Sequence, residues 1–184
     1  AVRGARTELS YTSAGSLLGG NELYGAAVFQ HLQYVPLSKR TAFADRFLAG
    51  QSAGPGRRSF DFGGLGGVRG FSSSSRWSGS KLLMNNFEFR TPIIRDLNYY
   101  MWFMFPDFYF KTVYAKVFFD SAYGWDRGSE LRNFRGSDIR SSAGVGINIH
   151  TFLLQAFQLV LSFDYAIRTK DGGRIFYFYL GPMF

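Results

Sequence analysis

Apolar side chains alternate with small or polar ones along several segments, and this alternation constrains the fold more than any other feature. The clearest segment is Phe157–Arg168. One face of it carries Phe157, Leu159, Leu161, Phe163, Tyr165 and Ile167, and the other carries Gln158, Ser162, Asp164 and Arg168 with Val160 and Ala166. A period of two is typical of a β-strand whose faces meet unlike surroundings. The chain is therefore predicted to be all-β.

The same pattern predicts about eight antiparallel strands in the 184 residues. The stronger segments are Thr112–Asp120, Ala143–Thr151, Phe157–Arg168 and Arg174–Phe184, and the weaker ones are Arg6–Thr12, Tyr24–Tyr34, Thr41–Gly50 and Ser80–Arg90. Asp171-Gly172-Gly173 predicts a short hairpin between the last two strands. Gly50–Gly79, rich in Gly, Ser and Arg, predicts a long loop of the kind that is usually functional or disordered.

Alternation alone leaves open which face is buried. A soluble barrel of lipocalin type turns its apolar face inward, whereas a membrane barrel turns that face to lipid and keeps a polar lumen. Aromatic residues make up 19% of the chain, which suits the aromatic girdles of a membrane barrel. Charged residues make up only 18%. The longest apolar stretch, Leu97–Phe110, is too short for a spanning helix. We therefore expect a transmembrane β-barrel.

Composition argues against several kinds of chemistry. The chain has no cysteine, which excludes disulfides, Cys-ligated zinc and Cys nucleophiles. His31 and His150 are isolated, so no metal site is predicted, and Ser72–Ser75 lacks a His/Asp constellation for nucleophilic catalysis. The net charge of +8 comes from scattered basic residues, which indicates a cationic surface or lumen rather than a nucleic-acid footprint. We expect neither an enzyme nor a cofactor.

The glycine-rich segment Gly63–Phe71 fits no nucleotide-binding fingerprint, because its third glycine and its helix are missing. Its last four residues, Val68, Arg69, Gly70 and Phe71, resemble the VRGF signature of the BamA/TamA-type outer-membrane assembly and translocation barrels. In that family the motif lies on a loop folded into the lumen, and its Arg pairs with an Asp in an F-x-D-x-G motif. The matching residues here are Phe118 and Asp120, with Ala122 in place of the glycine.

The resemblance, strongest over residues 60–184, implies roles for further residues. An Arg69–Asp120 ion pair would lock a lumen loop of about residues 50–79, and Glu88 and Arg90 would supply supporting lumen charges. Those two residues lie two apart on one strand and so share its polar face. A C-terminal barrel signal would comprise Phe176, Phe178, Leu180 and Phe184.

The resemblance also implies an architecture and a function. The family barrel has sixteen strands, so residues 1–184 would be one partial membrane domain, the C-terminal half of such a barrel. It would lie in a bacterial-type outer membrane and assist insertion of outer-membrane proteins or translocation of polypeptides. Its partners would be the lipid bilayer, client polypeptides and a missing N-terminal half or second barrel chain, without nucleic acid. The alternatives are a passive small structural or pore β-barrel and a soluble lipocalin-like ligand-binding barrel.

Overall fold

Strands account for most of the fold. The structure, a computed structural model, describes residues 3–15, 23–72, 78–101, 108–127, 130, 132–154 and 156–182. Its strands are β1 Gly4–Ala14, β2 Tyr24–Pro36, β3 Ala42–Ala53, β4 Phe60–Asp61, β5 Ser78–Gly79, β6 Lys81–Ile94, β7 Tyr99–Met101, β8 Phe108–Trp125, β9 Arg140–Leu153, β10 Phe157–Arg168 and β11 Arg174–Pro182. A 3₁₀ turn covers Gly136–Asp138.

One antiparallel sheet contains all eight long strands. Its order is β1-β2-β3-β6-β8-β9-β10-β11. The short strand β7 pairs with the start of β8, on the same edge of β8 as β6. Within the part of the chain that the structure describes, β1 and β11 do not pair, so the sheet is open and forms part of a barrel. The prediction of an all-β antiparallel fold with about eight main strands is confirmed.

Two predicted boundaries need correction. β3 continues to Ala53 because it pairs with β2 as far as Gly25, so the long loop begins at Gly54 rather than at Gly50. This loop has regular structure of its own, since β4 and β5 pair with each other inside it. β8 begins at Phe108, with a register shift between Phe110 and Thr112, and is therefore longer than the predicted Thr112–Asp120.

The sheet has an inner face, which the described part of the loop (residues 54–72 and 78–80) covers, and an outer face, which is apolar. On the outer face Val117, Val145, Phe157 and Phe176 are 51–62% exposed. On the inner face Asp120, Ser142 and Asp164 are 2% exposed or less. Apolar side chains therefore point out and charges point in, as in a membrane barrel, and the soluble lipocalin-like alternative is wrong.

The outer face of β10 has the dimensions of a membrane-spanning strand. Phe157 and Ile167 mark its ends, and ten residues of strand cover about 33 Å. If the strand is tilted by about 40° from the membrane normal, this length corresponds to an apolar band about 25 Å tall. No helix in the described part of the chain is long and apolar enough to cross a membrane.

Small and apolar residues pack the loop against the inner face. Phe62, Val68 and Phe71 of the loop contact a patch formed by Leu82, Met84 and Ala122 of β6 and β8. All six are at most 4% exposed. The loop is therefore held close to the sheet, and Ala122 is accommodated in this packing.

Replacement of Ile147 by Lys tests the orientation of the faces. Ile147 is 41% exposed on the outer face and pairs with Phe163 near the middle of the apolar band. A lysine facing hydrocarbon near mid-membrane costs about 2–4 kcal/mol, so we expect this loss in the free energy of unfolding in phospholipid vesicles. Leu37→Lys is the control, since Leu37 is 60% exposed in the β2–β3 turn. Equal, small effects of both substitutions would contradict a lipid-facing wall.

Candidate functional site: a loop arginine on the inner face

A tight turn in the loop brings Arg69 down onto the sheet. The Val68 N–H donates to the Phe62 carbonyl at 2.6 Å, and the Gly67 N–H donates to Gly64 at 3.1 Å. Gly63 and Val68 form a parallel bridge. These bonds fold residues 62–68 back on themselves, so Val68 is fully buried and Arg69 follows it into the inner face.

Asp120 of β8 binds Arg69 through three hydrogen bonds. Arg69 Nε donates to Asp120 Oδ2 at 2.8 Å and Arg69 Nη2 donates to Oδ1 at 3.0 Å, while the Arg69 backbone N–H reaches Oδ2 at 3.1 Å. Asp120 is 0% exposed and Arg69 is 7% exposed. A bidentate guanidinium–carboxylate contact fixes direction as well as distance. Asp120 therefore sets the orientation of both the side chain and the backbone of Arg69.

Two further carboxylates complete the surroundings of the guanidinium. Arg69 Nη1 donates to Glu88 Oε2 at 3.1 Å and to Asp164 Oδ2 at 3.0 Å. Arg90 pairs with Glu88, and Lys116 Nζ lies 2.7 Å from Asp164 Oδ1. The network thus contains three cations and three carboxylates, with Arg69 in contact with all three carboxylates. Balanced charge of this kind offsets the desolvation that burial imposes on each group.

An aromatic ring lies directly beneath the guanidinium. The Arg69 Cζ atom is 3.4 Å from the centroid of Phe118, which is 5% exposed. The ring fits because Gly144 of β9 has no side chain: a Cβ there would lie 2.3 Å from Phe118 Cζ. A cation over an aromatic face gains energy when it is shielded from water. The Phe118 ring therefore packs against one face of the Arg69 guanidinium.

Two polar side chains hold the turn that precedes Arg69. Asn86 Nδ2 donates to the Gly67 carbonyl at 2.8 Å and to Asp120 Oδ1 at 2.9 Å. Arg46 Nη2 donates to the Gly66 carbonyl at 2.5 Å, and Arg46 Nε donates to Asn86 at 3.1 Å. The glycine-rich turn is thereby tied to β3 and β6 through its own carbonyls.

Gly70 and Phe71 continue the contact towards the last strands. Gly70 has φ +91°, and a Cβ there would lie 3.3 Å from Ser142 Cβ and from Arg168 Cγ. Positive φ and close approach both favour glycine. The Gly70 N–H donates to the Tyr177 hydroxyl at 2.9 Å, and the Arg168 guanidinium lies 5.5 Å from the Phe71 ring centroid.

The loop is also anchored where it returns to the sheet. The Ser80 backbone N–H donates to Asp126 Oδ1 at 2.9 Å, and the hydrogen bonds from Ser80 lower the pKa of the Asp126 carboxyl. The Ser52 N–H donates to the Ser80 carbonyl at 2.7 Å. The end of the loop is therefore fixed to both β3 and the segment after β8.

The structure brings most of the predicted site residues together. Val68, Arg69, Gly70, Phe71, Glu88, Arg90, Phe118 and Asp120 all belong to this contact between loop and sheet. Phe176, Phe178 and Leu180 lie apart from it on the outer face of β11, where they are 50–62% exposed. Phe184 lies outside the described residues.

Several residues of the contact were not singled out from the sequence as partners of the loop. They are Arg46, Asn86, Lys116, Gly144, Asp164 and Tyr177. The alternation did place Asp164 on the polar face, but a strand pattern gives no distance to a loop 95 residues away. Tyr177 lies 107 positions from Gly70 in the chain, so the strand pattern gives no sign of this contact either.

The arrangement holds a segment of the loop against the sheet. Three carboxylates converge, but the cation at their centre is the Arg69 guanidinium. Among the described residues, no group of three His, Asp or Glu side chains is arranged to hold a metal ion. The chemistry available here is electrostatic docking of the loop.

Comparison with known proteins agrees with this architecture. The family description "Omp85 superfamily domain" matches residues 1–184. The chain belongs to the Omp85 superfamily. The match includes the first 50 residues, which the resemblance of the motifs covers poorly. No curated protein matches the chain.

A solved structure of this superfamily fold is similar to the chain. It is the crystal structure of BamA from Haemophilus ducreyi lacking POTRA domains 1–3, with a TM-score of 0.65 and 19% identity. The match covers 97% of this chain and 38% of that chain. The chain therefore corresponds to less than half of the BamA structure, in line with its open sheet.

Substitution of Arg69 tests how the loop is held. Arg69→Ala leaves three carboxylates without their central cation, and breaking such a buried pair costs about 3–5 kcal/mol. We expect protease cleavage within residues 54–72 to become rapid. Arg69→Lys keeps the charge but loses the bidentate contact, so its protection should be intermediate. Arg57→Ala, within the same loop but outside the network, is the control. Unchanged protection in Arg69→Ala would contradict the docking role.

Substitution of Gly144 tests the contact between the Phe118 ring and the Arg69 guanidinium. In Gly144→Ala the new methyl group collides with Phe118 and with the Tyr165 carbonyl, and overpacking of this kind costs about 1–3 kcal/mol. We expect reduced thermal stability and a less protected loop. Gly136→Ala is the control, because a Cβ there meets nothing within 4 Å. Adding Phe118→Leu should restore part of the stability, and failure of Gly144→Ala to affect the loop would contradict the model of a ring beneath Arg69.

Proposed function

We propose that this chain is the loop-bearing part of a protein that inserts β-barrel proteins into, or moves polypeptides across, a bacterial-type outer membrane. Membership of the Omp85 superfamily and the likeness to BamA support a role of this class. The observation that carries the proposal is the engagement of Arg69 by Asp120, which joins the VRGF segment to the F-x-D segment. The resemblance of these two motifs to the assembly barrels implies the function.

The proposed mechanism is mechanical rather than chemical. Unpaired strand edges are costly in hydrocarbon, where water cannot satisfy backbone groups. In the described structure the last strand, β11, has one edge without a partner, whereas β1 would pair with the further barrel segment. A client strand can add to such an edge by β-augmentation. The protein would thus offer its edge as a template, and no cofactor takes part.

The network around Arg69 would keep the lumen in a defined shape during this exchange. Glu88, Asp120 and Asp164 stand on β6, β8 and β10, so the docked loop ties three strands of the sheet together. Phe176, Phe178 and Leu180 would contact lipid and serve as the recognition signal of the chain's own barrel. The lipid bilayer, the client and a further barrel segment would be the partners.

Insertion into liposomes tests the proposal. The protein is reconstituted in vesicles, an unfolded eight-stranded outer-membrane protein is added, and its folding is followed by the heat-modifiable shift of its gel band. We expect the folding rate to rise above that of empty vesicles, and Arg69→Ala to abolish most of the increase.

The control separates an active barrel from a passive one. Arg57→Ala should insert clients as the unmodified protein does. If the unmodified protein does not accelerate folding or translocation of any client, while ions cross its vesicles freely, the chain belongs to a passive pore and the proposed function is wrong.

A further inference from the structure

Tyr177 joins the docked loop to the last strand. Its hydroxyl accepts a hydrogen bond from the Gly70 N–H at 2.9 Å and donates one to the Phe71 carbonyl at 3.3 Å. A phenol can accept and donate at the same time. Both backbone groups belong to the two residues that follow Arg69, so one side chain of β11 binds the loop motif directly.

The location of Tyr177 makes this contact unusual. Among the described residues β11 pairs with β10 alone, through the run from Leu159↔Pro182 to Ile167↔Arg174. Gly70 lies above β9 and β10, close to Ser142 and Ala166. The Tyr177 side chain therefore reaches from the edge strand across its neighbour to meet the loop.

We propose that Tyr177 is a positioning residue that couples docking of the loop to the attachment of β11 at the sheet edge. While Arg69 is bound, Gly70 and Phe71 are fixed, and they hold β11 against β10 through the Tyr177 hydroxyl. Release of the loop removes this restraint and loosens β11. The coupling stands on the contact itself, and only its use for admitting a client strand rests on the proposed function.

The coupling has a physical reason, because a buried backbone N–H needs a hydrogen-bond partner. The contact between the Gly70 N–H and the Tyr177 hydroxyl is partly buried, so loss of the hydroxyl leaves a polar group with reduced access to water. Leaving a buried N–H without a partner costs more free energy than an average hydrogen bond contributes to stability. Coupling between two sites is reciprocal, so a change at β11 must also affect the docking of the loop.

Hydrogen exchange of the full chain in phospholipid vesicles measures the coupling. Tyr177→Phe removes only the hydroxyl, and we expect the amides of β11 to exchange about two- to tenfold faster, while those of β2 and β3 keep their rates. Tyr179→Phe is the matched control, because Tyr179 follows two residues later on the same face and is 42% exposed. It should leave the exchange of β11 unchanged.

A double-mutant cycle separates coupling from general loosening. Arg69→Lys should speed the exchange of β11 in the unmodified background and add little in the Tyr177→Phe background. Leu65→Cys introduces a single thiol into a chain without cysteine, and its maleimide labelling reports the loop, since Leu65 is 44% exposed. Tyr177→Phe should increase this labelling as well.

The outcomes decide the proposal. Equal acceleration in all strands after Tyr177→Phe, or an undiminished effect of Arg69→Lys in its presence, would overturn the coupling. Exchange that behaves as predicted in a protein that fails to insert clients would leave the coupling standing and would overturn the proposed function instead.

Discussion

Burial of the Arg69 guanidinium is the constraint on which the rest of the structure depends. Removal of an ionised group from water costs several kcal/mol unless charges and hydrogen bonds replace the lost hydration. Here Nε, Nη1 and Nη2 all donate to carboxylates, and an aromatic ring covers one face. Since those carboxylates stand on separate strands, the loop has one position in which its arginine is satisfied.

The division of the sheet into two faces makes this site possible. The outer face is apolar, and a hydrocarbon environment there leaves the inner face as the place for charge. The carboxylates on β6, β8 and β10 are balanced by Arg90 of β6, Lys116 of β8 and Arg69 of the loop. Glycines on β9 leave room for large side chains of β8 to lie flat. The same period-two pattern therefore produces both the membrane wall and the docking surface for the loop.

Much of this was predictable from the sequence, because strand alternation is a local property. Each of the eight main strands was predicted, and the resemblance to the family motifs paired Asp120 with Arg69. The structure inside the loop was missed, since β4 and β5 contain two residues each and depend on packing of the loop. Asp164 and Tyr177 were not identified as loop partners, because their contacts join residues about 95 and 107 positions apart. Such contacts follow from strand order and register, which alternation does not determine.

The most direct test is the coupling free energy between Arg69 and Asp120. It is obtained from the unfolding of the unmodified protein, Arg69→Ala, Asp120→Ala and the double variant in the same vesicles. If the guanidinium and the carboxylate satisfy each other, the double variant should lose much less stability than the sum of the two single losses, with a coupling of about 0.5–3 kcal/mol. Strictly additive losses would show that the two groups do not interact and would contradict the account.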